Sequence, residues 1–298
     1  MNTHDVQHDA STLQPATITA SPFVTWSDTT SLSSRPGGVP STCHHEPAPR
    51  PGMRVRRRTN IVPPYSPVSH APIAPPLLTY RGGPLISNVE VFSLFWGDAW
   101  TSAPLQRLAR RLQDFLAFSM GSPLVNQLAE YSVPGHALGS GHVLGSRTVS
   151  GSGNLSSVSD AGVQLFVRDQ IGRRDGVPAP TPHSLFCIYL APGVAVSMGG
   201  QQSCQAFCAY HATMYDRIPY LVVTYPNCPG CLSTFNTFDA MTATTSHALC
   251  EAITDPVPGK GWYDDVNGEI GDLAPWKTRR LGGYRVQLQW SNRARGCV

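Results

Sequence analysis

Residues 89–96 read Val-Glu-Val-Phe-Ser-Leu-Phe-Trp, a run of β-branched and aromatic side chains with hardly a polar interruption. A strand with one wet face alternates apolar and polar residues, whereas a nearly continuous apolar strand needs cover on both faces, as in the middle of a sheet flanked by helices. The following chain supplies such cover. Thr101 or Ser102 can cap a helix with Pro104 in its first turn, and Leu105, Leu108, Leu112, Phe115 and Leu116 recur at helical spacing. Arg107, Arg110 and Arg111 fall on its other, solvated face. Ser159-Asp160 caps a second helix with Val163, Phe166, Val167 and Ile171 on one side and Gly172 near its end. Strands are predicted at 184–190, stopped by Ala191-Pro192-Gly193, and at 220–225, stopped by Pro226. Val143-Leu144, inside the Gly/Ser-rich stretch 139–153, marks a short one. Strands alternating with helices predict an α/β layered domain, a mixed sheet flanked by helices. Residues 284–290 alternate cleanly, which predicts Tyr284, Val286, Leu288 and Trp290 inside and Arg285, Gln287 and Gln289 in water.

This domain is expected to occupy residues 79–298, opening at the turn Tyr80-Arg81-Gly82-Gly83-Pro84. Residues 1–78, rich in Pro, Ser, Thr and His and without apolar periodicity, cannot bury enough surface to offset their ordering entropy and read as a disordered N-terminal segment. Arg56-Arg57-Arg58 within it would be the place for a processing cut if the segment were a propeptide, although a plain linker is the simpler reading. With 298 residues, 41% of them hydrophobic, the chain can build a sizeable core. A net charge of +3, much of it from the run Arg54, Arg56, Arg57 and Arg58, gives no footprint for nucleic acid. No stretch reaches the roughly 18 apolar residues of a membrane span, and no export signal is recognised in residues 1–26.

Eight cysteines include two close pairs, Cys204 with Cys208 and Cys228 with Cys231. They suit disulfides in an oxidising compartment, with a four-thiolate zinc ribbon as the alternative. The first pair lacks the usual knuckle glycine, which favours disulfides.

The chemistry concentrates between residues 246 and 272. A helix starting near 235–239 must end before Pro256, and it carries His247 and Glu251 four apart on one face, a spacing able to hold one metal ion. Phe238, Met241, Thr245, Leu249 and Ala252 form its core stripe, and Cys250 reads as a buried, inert thiol. Four acidic residues follow, Asp264, Asp265, Glu269 and Asp272, in a chain only 14% charged. Candidate metal ligands are therefore His247, Glu251, Asp265, Glu269 and Asp272, with His211 as a further donor and Asp255 if the helix break folds it back. The turn Asp265-x-Asn267-Gly268-Glu269 also offers hard oxygen ligands suited to calcium. The plain alternatives are a polar His–Glu pair on a helix surface and an ordinary acidic turn.

Several blocks together resemble the EXORDIUM or phosphate-induced proteins of plants and their microbial relatives. They are Tyr80-Arg81-Gly82-Gly83-Pro84, Cys204 through Cys208-Ala209-Tyr210-His211, Cys228-Pro229-Gly230-Cys231, Ser246 through Pro256, Gly268-Glu269-Ile270-Gly271-Asp272, and Val286-Gln287-Leu288-Gln289-Trp290-Ser291-Asn292 with Cys297. The resemblance implies a secreted protein, with the cell wall and growth control as the plant members' setting, and a peptide, protein or cell-wall ligand. The family's helix looks like His-Glu-x-x-Glu, similar to the zincin-like active-site helix of zinc peptidases. His247 and Glu251 match it as zinc ligands, but Ala248 stands where the first Glu, the general base, would be. Ala274 likewise stands where the family tends to have a cysteine. The expectation is a catalytically degenerate metallopeptidase-like domain with no assigned catalytic residue, in which Ala248→Glu should raise peptidase activity. The alternatives are an active metal-dependent hydrolase using another carboxylate, such as Glu269 or Asp265, and a non-enzymatic extracellular binding or signalling protein.

Overall fold

In the computed structural model, which describes residues 60–67, 75–151, 153 and 155–298, the apolar run near residue 90 lies inside a mixed sheet. Six strands, β1 (Ile61–Val62), β2 (Glu90–Trp96), β3 (His142–Val149), β4 (Ser184–Leu190), β5 (Ala209–Met214) and β6 (Ile218–Val223), are ordered β1-β5-β6-β4-β2-β3. β3, β2, β4 and β6 run parallel, while β5 is antiparallel to both β6 and β1. β2 pairs on both edges, and every residue from Val91 to Trp96 is buried, as its composition requires. Phe92 lies opposite Phe186, which lies opposite Tyr220, so one aromatic row crosses three strands. Burying a side chain such as Phe95 or Phe186 contributes roughly 1.5–3 kcal/mol.

Helices α1 (Ala103–Gly121), α2 (Asp160–Gly172) and α3 (Thr237–Thr254) supply the cover. Leu112, Phe115 and Leu116 of α1 are buried and Arg107, Arg110 and Arg111 are exposed. The Arg111 guanidinium nevertheless lies 3.7 Å from the centre of the Phe238 ring, a cation–π contact that joins α1 to α3. Ser159 caps α2 by accepting from the Gly162 N–H, and Phe166 stacks on Trp96 with ring centres 3.9 Å apart. The Gly/Ser-rich stretch forms a longer strand than its short apolar patch suggests. Gly145, at φ +143°, takes up a register shift that leaves Leu144 outside the pairing with β2, so β3 continues to Val149.

Part of the segment read as disordered belongs to this fold. Ile61 and Val62 add an antiparallel strand to β5, the Tyr65 N–H donates to the Gly230 carbonyl at 2.7 Å, and the Trp276 indole donates to the Pro63 carbonyl at 2.7 Å. The folded part therefore begins before residue 79, within a compact unit spanning Gly52–Val298. The arginine run at 54–58 lies outside the described residues.

The close cysteine pairs are cross-linked to each other, Cys204 to Cys228 and Cys208 to Cys231, with Cα atoms 5.9 and 5.3 Å apart. The zinc-ribbon alternative is thereby set aside, and the bonds are consistent with an extracellular protein. They tie the segment entering β5 to the segment leaving β6. Among the described residues no helix is long and apolar enough to cross a membrane.

Candidate metal centre

α3 is the plank on which the site is built. The Asn236 side chain caps it by accepting from the Asp239 N–H at 2.9 Å, and Pro256 enforces its end: Asp255 leaves helical geometry at φ −147°. Every residue from Phe238 to Thr254 is buried, including a run of Thr and Ser. These hydroxyls can be buried because they donate to carbonyls one turn back: Thr244 to Ala240 at 3.0 Å, Ser246 to Ala243 at 2.7 Å, and Thr254 to Cys250 at 2.9 Å. Burial pushes the Cys250 thiol pKa far up, in keeping with an inert thiol.

Four elements bring polar groups to one buried point. α3 presents His247 and Glu251, β5 presents His211, the loop after Gly268 presents Glu269 and Asp272, and Gln287 comes from the hairpin of β7 (Thr278–Leu281) and β8 (Tyr284–Gln287). His211 and His247 are 0% exposed, Glu251 and Glu269 1%, and Asp272 7%. His247 Nε2 lies 2.7 Å from Glu251 Oε1 and 4.0 Å from Asp272 Oδ1. His211 Nε2 lies 2.7 Å from Glu269 Oε2 and 4.0 Å from Glu251 Oε2. Asp272 is held by its turn, its Oδ2 accepting from the Glu269 N–H at 3.0 Å.

Gln287 decides which nitrogen of His247 carries the proton. Its Nε2 donates to the Gly271 carbonyl at 2.8 Å and its Oε1 accepts from the Trp276 N–H at 3.0 Å, which fixes the amide orientation. The same Oε1 faces His247 Nδ1 at 3.0 Å, so Nδ1 must donate and Nε2 is left with its lone pair. Nε2 lies 2.7 Å from Glu251 Oε1, off the axis a hydrogen bond would need, so it has no hydrogen-bond partner, and Glu251 Oε2 has none either. Two buried acceptors this close need a positive charge between them, a proton or a cation.

Burial works against charge on these side chains. Burial, reinforced by Asp272 and Glu269, raises the Glu251 pKa well above its ordinary range, and burial pushes Glu269 up to about 8. Burial lowers the pKa of both histidines.

The remaining candidates stand elsewhere. Asp255 is committed to its own turn, where its carboxylate accepts from the N–H groups of Gly259 at 2.6 Å, Lys260 at 3.0 Å and Gly261 at 2.6 Å. Asp265 is exposed and pairs with Arg81 at 3.0 Å. Asp264 Oδ1 accepts from the Val266 and Asn267 N–H groups, and Glu269 turns to His211, so this turn does not converge on a calcium ion. Ala248 is 0% exposed within the hydrophobic core, so the position of the expected general base points away from the polar cluster. Gln287 and Gln289, expected in water, are buried at 2% and 0% because α3 covers one side of the hairpin and Gln287 is consumed by the site. The alternating pattern hid Gln287's role.

Gly271 seals the cluster. A Cβ there would lie 2.7 Å from His247 Cδ2 and 2.9 Å from Glu251 Oε1, so only glycine lets this backbone approach.

No protein-family model, curated protein or solved structure matches the chain.

Proposed function

We propose that the chain is a secreted EXORDIUM-like protein on a metallopeptidase-like scaffold, and that its buried His/carboxylate centre binds a divalent metal ion, zinc foremost. His247, Glu251 and Asp272 are the ligands of that ion, and Gln287 orients His247. The carrying observation is a fully buried His247 Nε2 without a hydrogen-bond partner, 2.7 Å from Glu251 Oε1 and 4.0 Å from Asp272 Oδ1, with its tautomer set by Gln287. A proton could relieve that one contact but would leave the buried Glu251 Oε2 without a partner. Tetrahedral zinc, with ligands about 2.0–2.1 Å away, holds its ligand atoms about 3.4 Å apart. The 2.7 and 4.0 Å separations bracket that value.

These three ligands fill three of zinc's four tetrahedral positions, so the case for a structural role rests on their burial. The ligands are 0–7% exposed, and no carboxylate follows His247 in sequence to act as base. The ion's part is to tie α3 to the loop after Gly268, and the protein acts by binding a peptide, protein or cell-wall ligand rather than by hydrolysis.

Metal analysis of the full-length protein, purified without chelator, tests this. The expected result is stoichiometric zinc, a melting temperature that falls on chelation and returns with zinc, and no zinc-dependent cleavage of a broad peptide library. Metal-free protein that zinc does not stabilise would remove the reading.

A further inference from the structure

The ligand-type side chains form two groups rather than one. His247, Glu251 and Asp272 make the first, and His211, Glu251 and Glu269 the second, with ligand atoms inside each group within 4.8 Å of one another. Neither group contains both histidines. Glu251 belongs to both and offers one oxygen to each side: Oε1 stands 2.7 Å from His247 Nε2, and Oε2 stands 4.0 Å from His211 Nε2.

We infer that the centre is dinuclear, with Glu251 bridging two divalent cations, one held by His247 and Asp272 and the other by His211 and Glu269. This rests on the metal reading above and extends it from one ion to two. Each half then has the same composition: one imidazole, one carboxylate of its own, and one oxygen of the shared carboxylate. Bridged pairs of metal ions lie about 3.5–4 Å apart, a span a single carboxylate covers with its two oxygens.

Two further observations point the same way. The shared residue carries an unpartnered atom on the second side, Glu251 Oε2, in a side chain 1% exposed. Among the described residues, the charged-type partners of Glu251 and Glu269 are the two histidines, with no Lys or Arg in an ion pair with either. His211 Nε2 and Glu269 Oε2 are hydrogen-bonded at 2.7 Å, a bond that an ion in the second half would replace.

The experiment is metal stoichiometry on the full chain, with zinc by elemental analysis and manganese by electron paramagnetic resonance after exchange. Wild type should bind two equivalents of zinc, and the manganese form should show the exchange-coupled spectrum of a bridged pair. His211→Gln and, separately, Glu269→Gln should bind one equivalent and give an uncoupled spectrum. Glu251→Gln should lose the coupling and weaken both sites. Far-ultraviolet circular dichroism reports whether each variant folds, and the two variants of the second half provide independent routes to the same answer. One equivalent in wild type that persists in folded His211→Gln or Glu269→Gln would overturn the second ion while leaving the first. No metal in wild type would overturn both readings.

Discussion

Gln287 is the most informative residue to perturb, because its side chain joins three parts of the molecule. It accepts from His247 Nδ1 and from the Trp276 N–H, both at 3.0 Å, and donates to the Gly271 carbonyl at 2.8 Å. Gln287→Leu keeps much of the volume and removes all three bonds. At about 1 kcal/mol net for each, the loss is about 3 kcal/mol, and the buried partners left unpaired push it higher. A separate effect falls on the proposed metal. Freeing His247 from the residue that fixes its tautomer should weaken zinc about 10–100-fold, or about 1.4–2.7 kcal/mol, the usual consequence of losing an outer partner of a ligating imidazole. Gln287→Glu divides the two effects: it retains an acceptor for His247 but cannot, as a carboxylate, donate to Gly271. It should hold zinc more tightly than the leucine variant while losing stability. Zinc competition against a chelator gives the affinity, and urea unfolding of the metal-free proteins gives the stability. A folded leucine variant that binds zinc as tightly as wild type would refute the orienting role.

Three other outcomes follow from the geometry. Gly271→Ala places a methyl group 2.7 Å from His247 Cδ2, so overpacking should cost about 1–3 kcal/mol and weaken zinc together, read by thermal unfolding with and without metal. Ala248→Glu should unfold the protein instead of activating it, losing about 3 kcal/mol or more in urea denaturation, because the carboxylate enters the apolar core; a stable variant with zinc-dependent peptidase activity would reverse that view. Alkylation without reductant followed by peptide mapping should find Cys204 joined to Cys228 and Cys208 to Cys231, and replacing either pair by serine should cost about 3 kcal/mol, since each bond closes a loop of more than twenty residues.

Much of the sheet and its helices was legible because the signals are local. The run at residues 89–96 admits few environments other than a doubly covered strand, and the Ser159 cap and Pro256 stop act within one turn of themselves. What the sequence concealed depends on distant partners. Ile61 and Val62 carry no strand pattern of their own and become a strand only because the edge of β5, about 150 residues later, offers unpaired backbone groups, as in the pairing of Ile61 with Tyr210. The reading of residues 284–290 held for Val286 and Trp290, which are buried, but failed on its wet side for a related reason. Alternation implies one wet face, but this hairpin packs against α3 and the site, so a glutamine on the supposedly wet side is buried.

The candidate site divides along the same line. His247 and Glu251 were visible as a pair because helical geometry alone puts residues four apart side by side. Neither helix nor loop could say which of the nearby carboxylates would join them. Asp255 was a candidate only if the helix break folded it back, and the backbone decides between it and Asp272: three N–H groups claim the first, while the turn at Glu269 brings the second within 4.0 Å of His247. The same logic applies to Ala248. Similarity to a zinc-peptidase helix makes the residue after the histidine look like a lost base, yet one step along a helix rotates a side chain by about 100°, and here that step leads into the hydrophobic core. The line through His247 and Glu251 is the polar-site face of α3, and its chemistry is therefore set by what β5, the loop after Gly268 and Gln287 bring to it.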